Sequence, residues 1–305
     1  MRSYVFLIIT MILFSGNILI GKAINDLPPV TITFVRCFIA FFILLPFSIK
    51  ELRRNRDLYL REWKPLVGMS LTGIVLFNFF LYASLQYTTS TNVAVIEATT
   101  PVFAVVLGII FLKERLNGLQ YVGIVLSLVG ALWVITKGSW AVLSQLQFNV
   151  GDLLVLVAIM AWTIYSLLIK QHNHKFPLIG SLVIMLFLAT VVLLPFAALE
   201  WSSEILDLLN TERILGLLYL GIFPSVIALI FWNKGVAAIG PSRASVFLNL
   251  LPVFTIVGAV VFLEETVTFV QLIGGALVIG GVYLSTRETK ASRVEIQEMK
   301  TGVTK

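Results

Sequence analysis

The most constraining feature of this chain is where its charges are missing. Ten apolar blocks run through it: 4–24, 30–49, 65–86, 92–112, 119–136, 153–169, 179–199, 214–233, 244–263 and 269–286. They hold 198 of the 305 residues but only three of the 38 Asp, Glu, Lys and Arg: Lys22, Arg36 and Glu97. A bilayer core about 30 Å thick requires about 20 apolar residues per helix, and these blocks have that length. Barrel strands would be about 10 residues with alternating polarity, and the blocks do not alternate. The sequence predicts an all-α polytopic membrane protein with ten transmembrane helices. An apolar content of 58% against 12% charged excludes an ordinary soluble domain, for which about 25% charged is typical.

Charge placement predicts an orientation. With the N-terminus inside, the inner segments hold 18 Lys and Arg, six of them in the 50–64 loop, and the outer segments hold three. The positive-inside rule then puts both termini in the cytoplasm, and the protein in the plasma or inner membrane. The net charge of +6 reads as loop charge facing anionic lipid, not as a nucleic-acid surface. Arg2 before an apolar run resembles the start of a signal peptide, but Ser15–Gly16–Asn17 interrupts the run and no small-residue cleavage site ends it. Residues 287–305 read as a polar cytoplasmic tail.

The blocks repeat. Shifted by 151 residues, Pro101–Val102–Phe103 falls on Pro252–Val253–Phe254, Glu114 on Glu265, Gln120 on Gln271 and Gly130 on Gly281; 12 of the 36 positions from Val95 to Gly130 are identical. A shift of 148 puts Phe14 on Trp162 and Lys22 on Lys170. Two five-helix halves follow, 4–137 and 151–286. Five is odd, so the second half must enter the membrane from the opposite side. Inverted repeats of this kind are a hallmark of secondary transporters.

The paired segments TPVFAVVLGIIFLKERL and LPVFTIVGAVVFLEETV, the glycine-bearing YVGIVLSLVGALWVI and LIGGALVIGGVYL, and Ser242–Arg243–Ala244–Ser245 resemble the EamA-type transporters of the drug/metabolite transporter superfamily. The resemblance spans residues 4–286. It implies a carrier of small metabolites, with amino acids among the cargoes of the superfamily, and export as the direction. Lys113–Glu114–Arg115 and Glu264–Glu265 fall in short loops where a structural role is expected. A passive facilitator or channel and a multidrug efflux carrier remain alternatives.

Other chemistry lacks its parts. Gly16 to Lys22 fits G-x-x-x-x-G-K, but Ala23 stands where a phosphate loop needs Ser or Thr. His172 and His174 have no further ligands nearby, so no metal, cofactor or enzymatic activity is expected. Pro101, Pro224 and Pro252 interrupt their spans and are expected to bend helices along the path. Glycines at 123, 130, 274, 275, 280 and 281 predict close helix packing and leave a homodimer through those helices open. Polar residues at depth gather on five helices; Asn17, Asn78, Tyr82, Trp162, Tyr165 and Asn249 are expected to line a midplane substrate site. Ser15, Thr99, Thr100 and Ser245 belong to the same set. Arg36 and Glu97, at matching depth, are expected either to form an ion pair or to hold opposite groups of a substrate, since a charge within a span is functional by default.

Overall fold

A computed structural model describes residues 2–139, 141, 149–201, 210–263 and 269–287. Glu264, Glu265 and the tail after Arg287 lie outside the described residues. The described chain is helical, with no strand among the described residues. The membrane helices are α1 (Arg2–Ala23), α2 (Pro29–Arg54), α3 (Trp63–Tyr87), α4 (Ser90–Glu97, then Thr100–Leu112), α5 (Gly118–Ile135), α6 (Val150–His172), α7 (Leu178–Glu200), α8 (Thr211–Ile239), α9 (Pro241–Leu263) and α10 (Phe269–Thr286). Among the described residues nine helical segments are long and apolar enough to span a bilayer, and Pro241–Val257 of α9 is a shorter apolar stretch.

Local chemistry sets the ends. Asn117 and Gln120 close a capping box at the start of α5, and Asn149 with Asp152 does the same for α6. Each satisfies two of the backbone donors that a helix start leaves orphaned. Gln120, one of the rare polar matches between the halves, is thereby a helix start signal. Lys113 adopts a left-handed conformation (φ 54°) and ends α4.

Four spans are irregular inside, in two pairs. Helix α3 carries a π-helical turn at Leu71–Leu76 and α8 one at Phe223–Ala228. Helix α4 breaks at Ala98–Thr99, and α9 passes through a 3-10 stretch, Val246–Leu250. Pro101 and Pro252 are each the second residue of the α-helical part that follows, and Pro224 is the second residue of its π turn. At the first turn of a helix proline forfeits no bond that the helix needs. Pro101 and Pro252 therefore mark where the α-helix resumes, whereas Pro224 lies inside the continuous Thr211–Ile239 span and removes a backbone donor there. Pro46 and Pro195, by contrast, sit inside unbroken α2 and α7.

Packing orders the bundle. Helix α1 lies against α8 and α9, α6 against α3 and α4, α2 against α7, and α5 against α10 in the most extensive contact. At that contact a Cβ on Gly123 would meet the Gly281 carbonyl at 2.6 Å, and one on Gly130 the Val278 amide at 2.7 Å. These glycines and their partners Gly274 and Gly281 are consumed within one chain. Gly275 and Gly280 take no part in that tight approach, the nearest neighbours of a Cβ there standing at 4.0 and 3.9 Å. Large apolar side chains such as Phe47, Phe111 and Leu199 point outward, as lipid contact requires, while polar ones such as Ser127, Thr163 and Asn249 are buried.

Candidate functional site

Where the irregular parts of α3, α4, α8 and α9 meet α1, α2 and α6, a cavity opens among Phe14, Asn17, Arg36, Asn78, Glu97, Thr100, Trp162, Leu229, Leu248 and Leu251. The space open to a water-sized molecule is about 30 Å³, enough for one or two waters. Small-molecule sites run to roughly 300–1,000 Å³, so admitting a metabolite requires the helices to part.

Arg36 is the centre of the polar wall. Its Nε donates to Ser225 Oγ at 2.8 Å, and its Nη1 lies 2.6 Å from Asn78 Oδ1, 3.1 Å from Asn17 Oδ1 and 2.5 Å from the Tyr82 hydroxyl. Nη2 has no acceptor among the described residues. The π turns help to build this cluster. Asn78 donates its amide to the Ile74 carbonyl inside the first π turn, which leaves its Oδ1 for Arg36. Ser225 donates to the Leu220 carbonyl, five residues back, and so turns a lone pair toward Arg36. Tyr82 in turn donates to Asn17 Oδ1 at 3.0 Å.

Glu97 ends the first part of α4, and its carbonyl accepts from Thr100 Oγ1 at 2.6 Å. Its carboxylate lines the cavity, and its Oε2 is buried with no partner among the described residues. Arg36 and Glu97 form no ion pair. The two ion pairs among the described residues are Lys175–Glu62 and Arg213–Asp26. The expected fixed pair is thus corrected. Four neutral oxygens from α1, α3 and α8 take up the guanidinium instead, and the carboxylate is left over.

The opposite wall is aromatic. The Trp162 ring packs 4.7 Å from Phe77, 5.1 Å from Trp232 and 5.6 Å from Phe14, measured between centroids. Its Nε1 is buried without an acceptor. Tyr165 does not line the cavity: its hydroxyl donates to Asn233 Oδ1 at 2.6 Å. Its ring occupies the place where a Cβ on residue 73 would stand, which is why Gly73 is glycine. Asn249 also lies off the cavity, donating to Ser127 Oγ on α5 at 2.9 Å. Tyr82 reaches the site only through Arg36 and Asn17. Ser15, Thr99 and Ser245 bond carbonyls three residues back in their own helices.

Sequence reasoning missed Ser225 and Asn233. Asn233 had a signal: a shift of 151 sets Tyr82 on Asn233, and one of 148 sets Asn17 on Tyr165. The tyrosine–asparagine bond occurs in both halves with the partners exchanged. The lysines also correspond. Lys22 Nζ donates to the Leu85 carbonyl at the end of α3, and Lys170 Nζ to the Ala237 carbonyl near the end of α8. Lys22 therefore caps a helix end, where the phosphate-loop pattern would have used it on a nucleotide.

The sequence profile of the EamA-like transporter family matches residues 1–136 and again 149–287. The chain belongs to this family. Among similar proteins, an uncharacterized transporter of Archaeoglobus fulgidus is 28% identical, covering 93% of this chain and 97% of its own length. The uncharacterized transporter YetK of Bacillus subtilis is 27% identical over 95% of this chain and 88% of its own. A probable terminal-alkyne amino-acid exporter of Streptantibioticus cattleyicolor is 27% identical, covering 79% of this chain and 77% of that protein. A solved crystal structure shares the fold, with a TM-score of 0.75 at 18% identity over 93% of this chain and 96% of that one. This EamA-family chain is thus a multi-pass integral membrane transporter. Its family supplies the general role, and the cavity supplies the chemistry.

Proposed function

We propose that the protein is a secondary transporter of the plasma or inner membrane that exports amino-acid-like, amphipathic solutes by alternating access between inverted halves 4–137 and 151–286, with both termini cytoplasmic. The observation that carries this reading is the division of the cavity wall. The polar lining residues Asn17, Arg36, Asn78, Glu97 and Thr100 all come from the first half, which also supplies apolar Phe14, Ile18, Phe77 and Leu81, while the second half supplies only apolar and aromatic ones: Ile159, Trp162, Pro224, Leu229, Leu248 and Leu251. Equivalent positions differ in polarity: Glu97 corresponds to Leu248, Thr100 to Leu251 and Asn78 to Leu229 at a shift of 151. A solute with a charged head and an apolar body fits such a wall. Glu97, with its unsatisfied oxygen, suits an ammonium group, and the free Nη2 of Arg36 suits a carboxylate. The resemblance to an amino-acid exporter supports the same cargo and direction. Corresponding π turns, restarting prolines and exchanged Tyr–Asn bonds support the inverted relation of the halves.

The test is counterflow in proteoliposomes. Labelled phenylalanine or leucine is expected to accumulate against unlabelled substrate inside, whereas phenylpropionate and phenethylamine, each lacking one charge, compete poorly. Equal competition by all three would remove the zwitterion reading. Uptake without counterflow would favour a passive facilitator.

A further inference from the structure

Away from the central cavity, a groove of about 630 Å³ lies at the end of the bundle that carries the 50–64 loop. It runs between the end of α2, the start of α7 and the last third of α8. One part is apolar: Phe47, Leu178, Ile179 and Ile230. Phe47 is 75% exposed, on the surface that faces lipid. The other part is basic: Lys50, Arg54 and Lys234, all exposed. Neither Lys50 nor Arg54 has a hydrogen bond or ion pair among the described residues, and Lys234 only lies over the Phe6 ring, 5.5 Å from its centroid. The one carboxylate in the groove, Glu51, is engaged, its Oε1 accepting the Gly180 amide at 3.3 Å.

We infer that this groove binds one anionic glycerophospholipid of the adjacent leaflet, its phosphate among Lys50, Arg54 and Lys234 and an acyl chain along Phe47, Ile179 and Ile230. Charge complementarity selects the headgroup. Three cations from two helices converge where a phosphate of that leaflet would sit, and basic pockets between membrane helices recognise such groups. The apolar floor selects a lipid over a free anion, because a soluble phosphate would leave Phe47 and Ile230 uncovered. The site is independent of the transport cargo and shares no residue with the central cavity.

The experiment is native mass spectrometry of the full chain in detergent, titrated with phosphatidylglycerol, phosphatidylcholine or glycerol 3-phosphate. Phosphatidylglycerol is expected to leave a one-lipid adduct at concentrations where the other two leave none. Each cation removed is expected to weaken that adduct by roughly five-fold, so Lys50→Gln/Arg54→Gln/Lys234→Gln should weaken it on the order of 100-fold. All three side chains are exposed, and monodisperse elution checks that the variant folds. Arg53→Gln/Arg61→Gln/Lys64→Gln, three exposed cations at the same end of the bundle but outside the groove, should change it little. The inference is overturned if the groove variant binds like wild type, or if the control variant loses as much. It is equally overturned if phosphatidylcholine binds as well, or if glycerol 3-phosphate alone matches the lipid.

Discussion

At the scale of single residues, Arg36 and Glu97 were expected to behave as a pair and are held by different means. Arg36 is satisfied by Asn17, Asn78, Tyr82 and Ser225, so removing it leaves four polar groups facing a hole. Hydrogen bonds inside membrane proteins average about 0.6 kcal/mol, and charged ones are stronger. Arg36→Ala is expected to cost about 2–4 kcal/mol and most of the transport. Arg36→Lys should restore less than half, because an ammonium is a point donor and cannot span Ser225 and the two asparagines at once. Glu97→Gln keeps the shape and disturbs no bond made by Oε2, so it should fold normally and lose only affinity for the solute. Thermal stability and counterflow rates of the three variants check this order. A Glu97→Gln protein less stable than Arg36→Ala would refute it. The mistaken ion pair has a plain origin. Counting residues from a span's end gives depth, but it does not reveal which side chains of other helices stand within reach. Asn249 failed for the same reason: its depth was legible, its turn toward Ser127 was not.

At the scale of elements, the spans were legible because the bilayer imposes a length and excludes charge. What happens inside the spans was only partly legible. The three prolines pointed to irregular helix, and α4, α8 and α9 are irregular beside them. The π turn of α3 contains no proline, and its sequence carries no comparable mark. The contact between α5 and α10 offers the cleanest mutational contrast. A Cβ at Gly123 would come within 2.6 Å of the Gly281 carbonyl, whereas one at Gly275 would find its nearest neighbour, Val253 Cγ1, at 4.0 Å. Overpacking a tight contact costs about 1–3 kcal/mol. Gly123→Ala is therefore expected to lower the melting temperature measurably and Gly275→Ala to leave it within error. Equal effects of the two would mean that backbone freedom, not close approach, sets the need for glycine there. Outside the membrane, Tyr59 packs over Gly180 with its hydroxyl buried and unpartnered, and burial, with nearby Glu51 adding to it, pushes that hydroxyl up to about 12. A folded-state value above the unfolded one means the contribution is complete below about pH 10 and is lost as pH rises through 12. Tyr59→Phe should leave stability at neutral pH unchanged or slightly higher and flatten the alkaline limb of a denaturation profile.

For the whole molecule, the question is which way the bundle faces. The charge bias of 18 to 3 acts on short loops during insertion, and an odd number of helices per half makes the two halves read that bias in opposite senses. If both halves are equivalent folds, the 50–64 loop after α2 and the segment after α7, which precedes Asn210, must lie on opposite faces. Only one of them can be cytoplasmic, and the six basic residues of the first predict that it is this loop. Cys37 is the sole cysteine and is buried, so Cys37→Ala provides a silent background. In it, Arg54→Cys and Asn210→Cys place single thiols at exposed positions. An impermeant maleimide applied to intact cells should label position 210 and spare position 54 until the membrane is opened. The reverse pattern would invert the protein and move the basic groove to the outer leaflet. Labelling of both from outside would mean that the halves enter the membrane in the same sense. In that case a two-fold relation in the membrane plane, and the symmetric pair of inward and outward conformations it would provide, could not be the basis of transport.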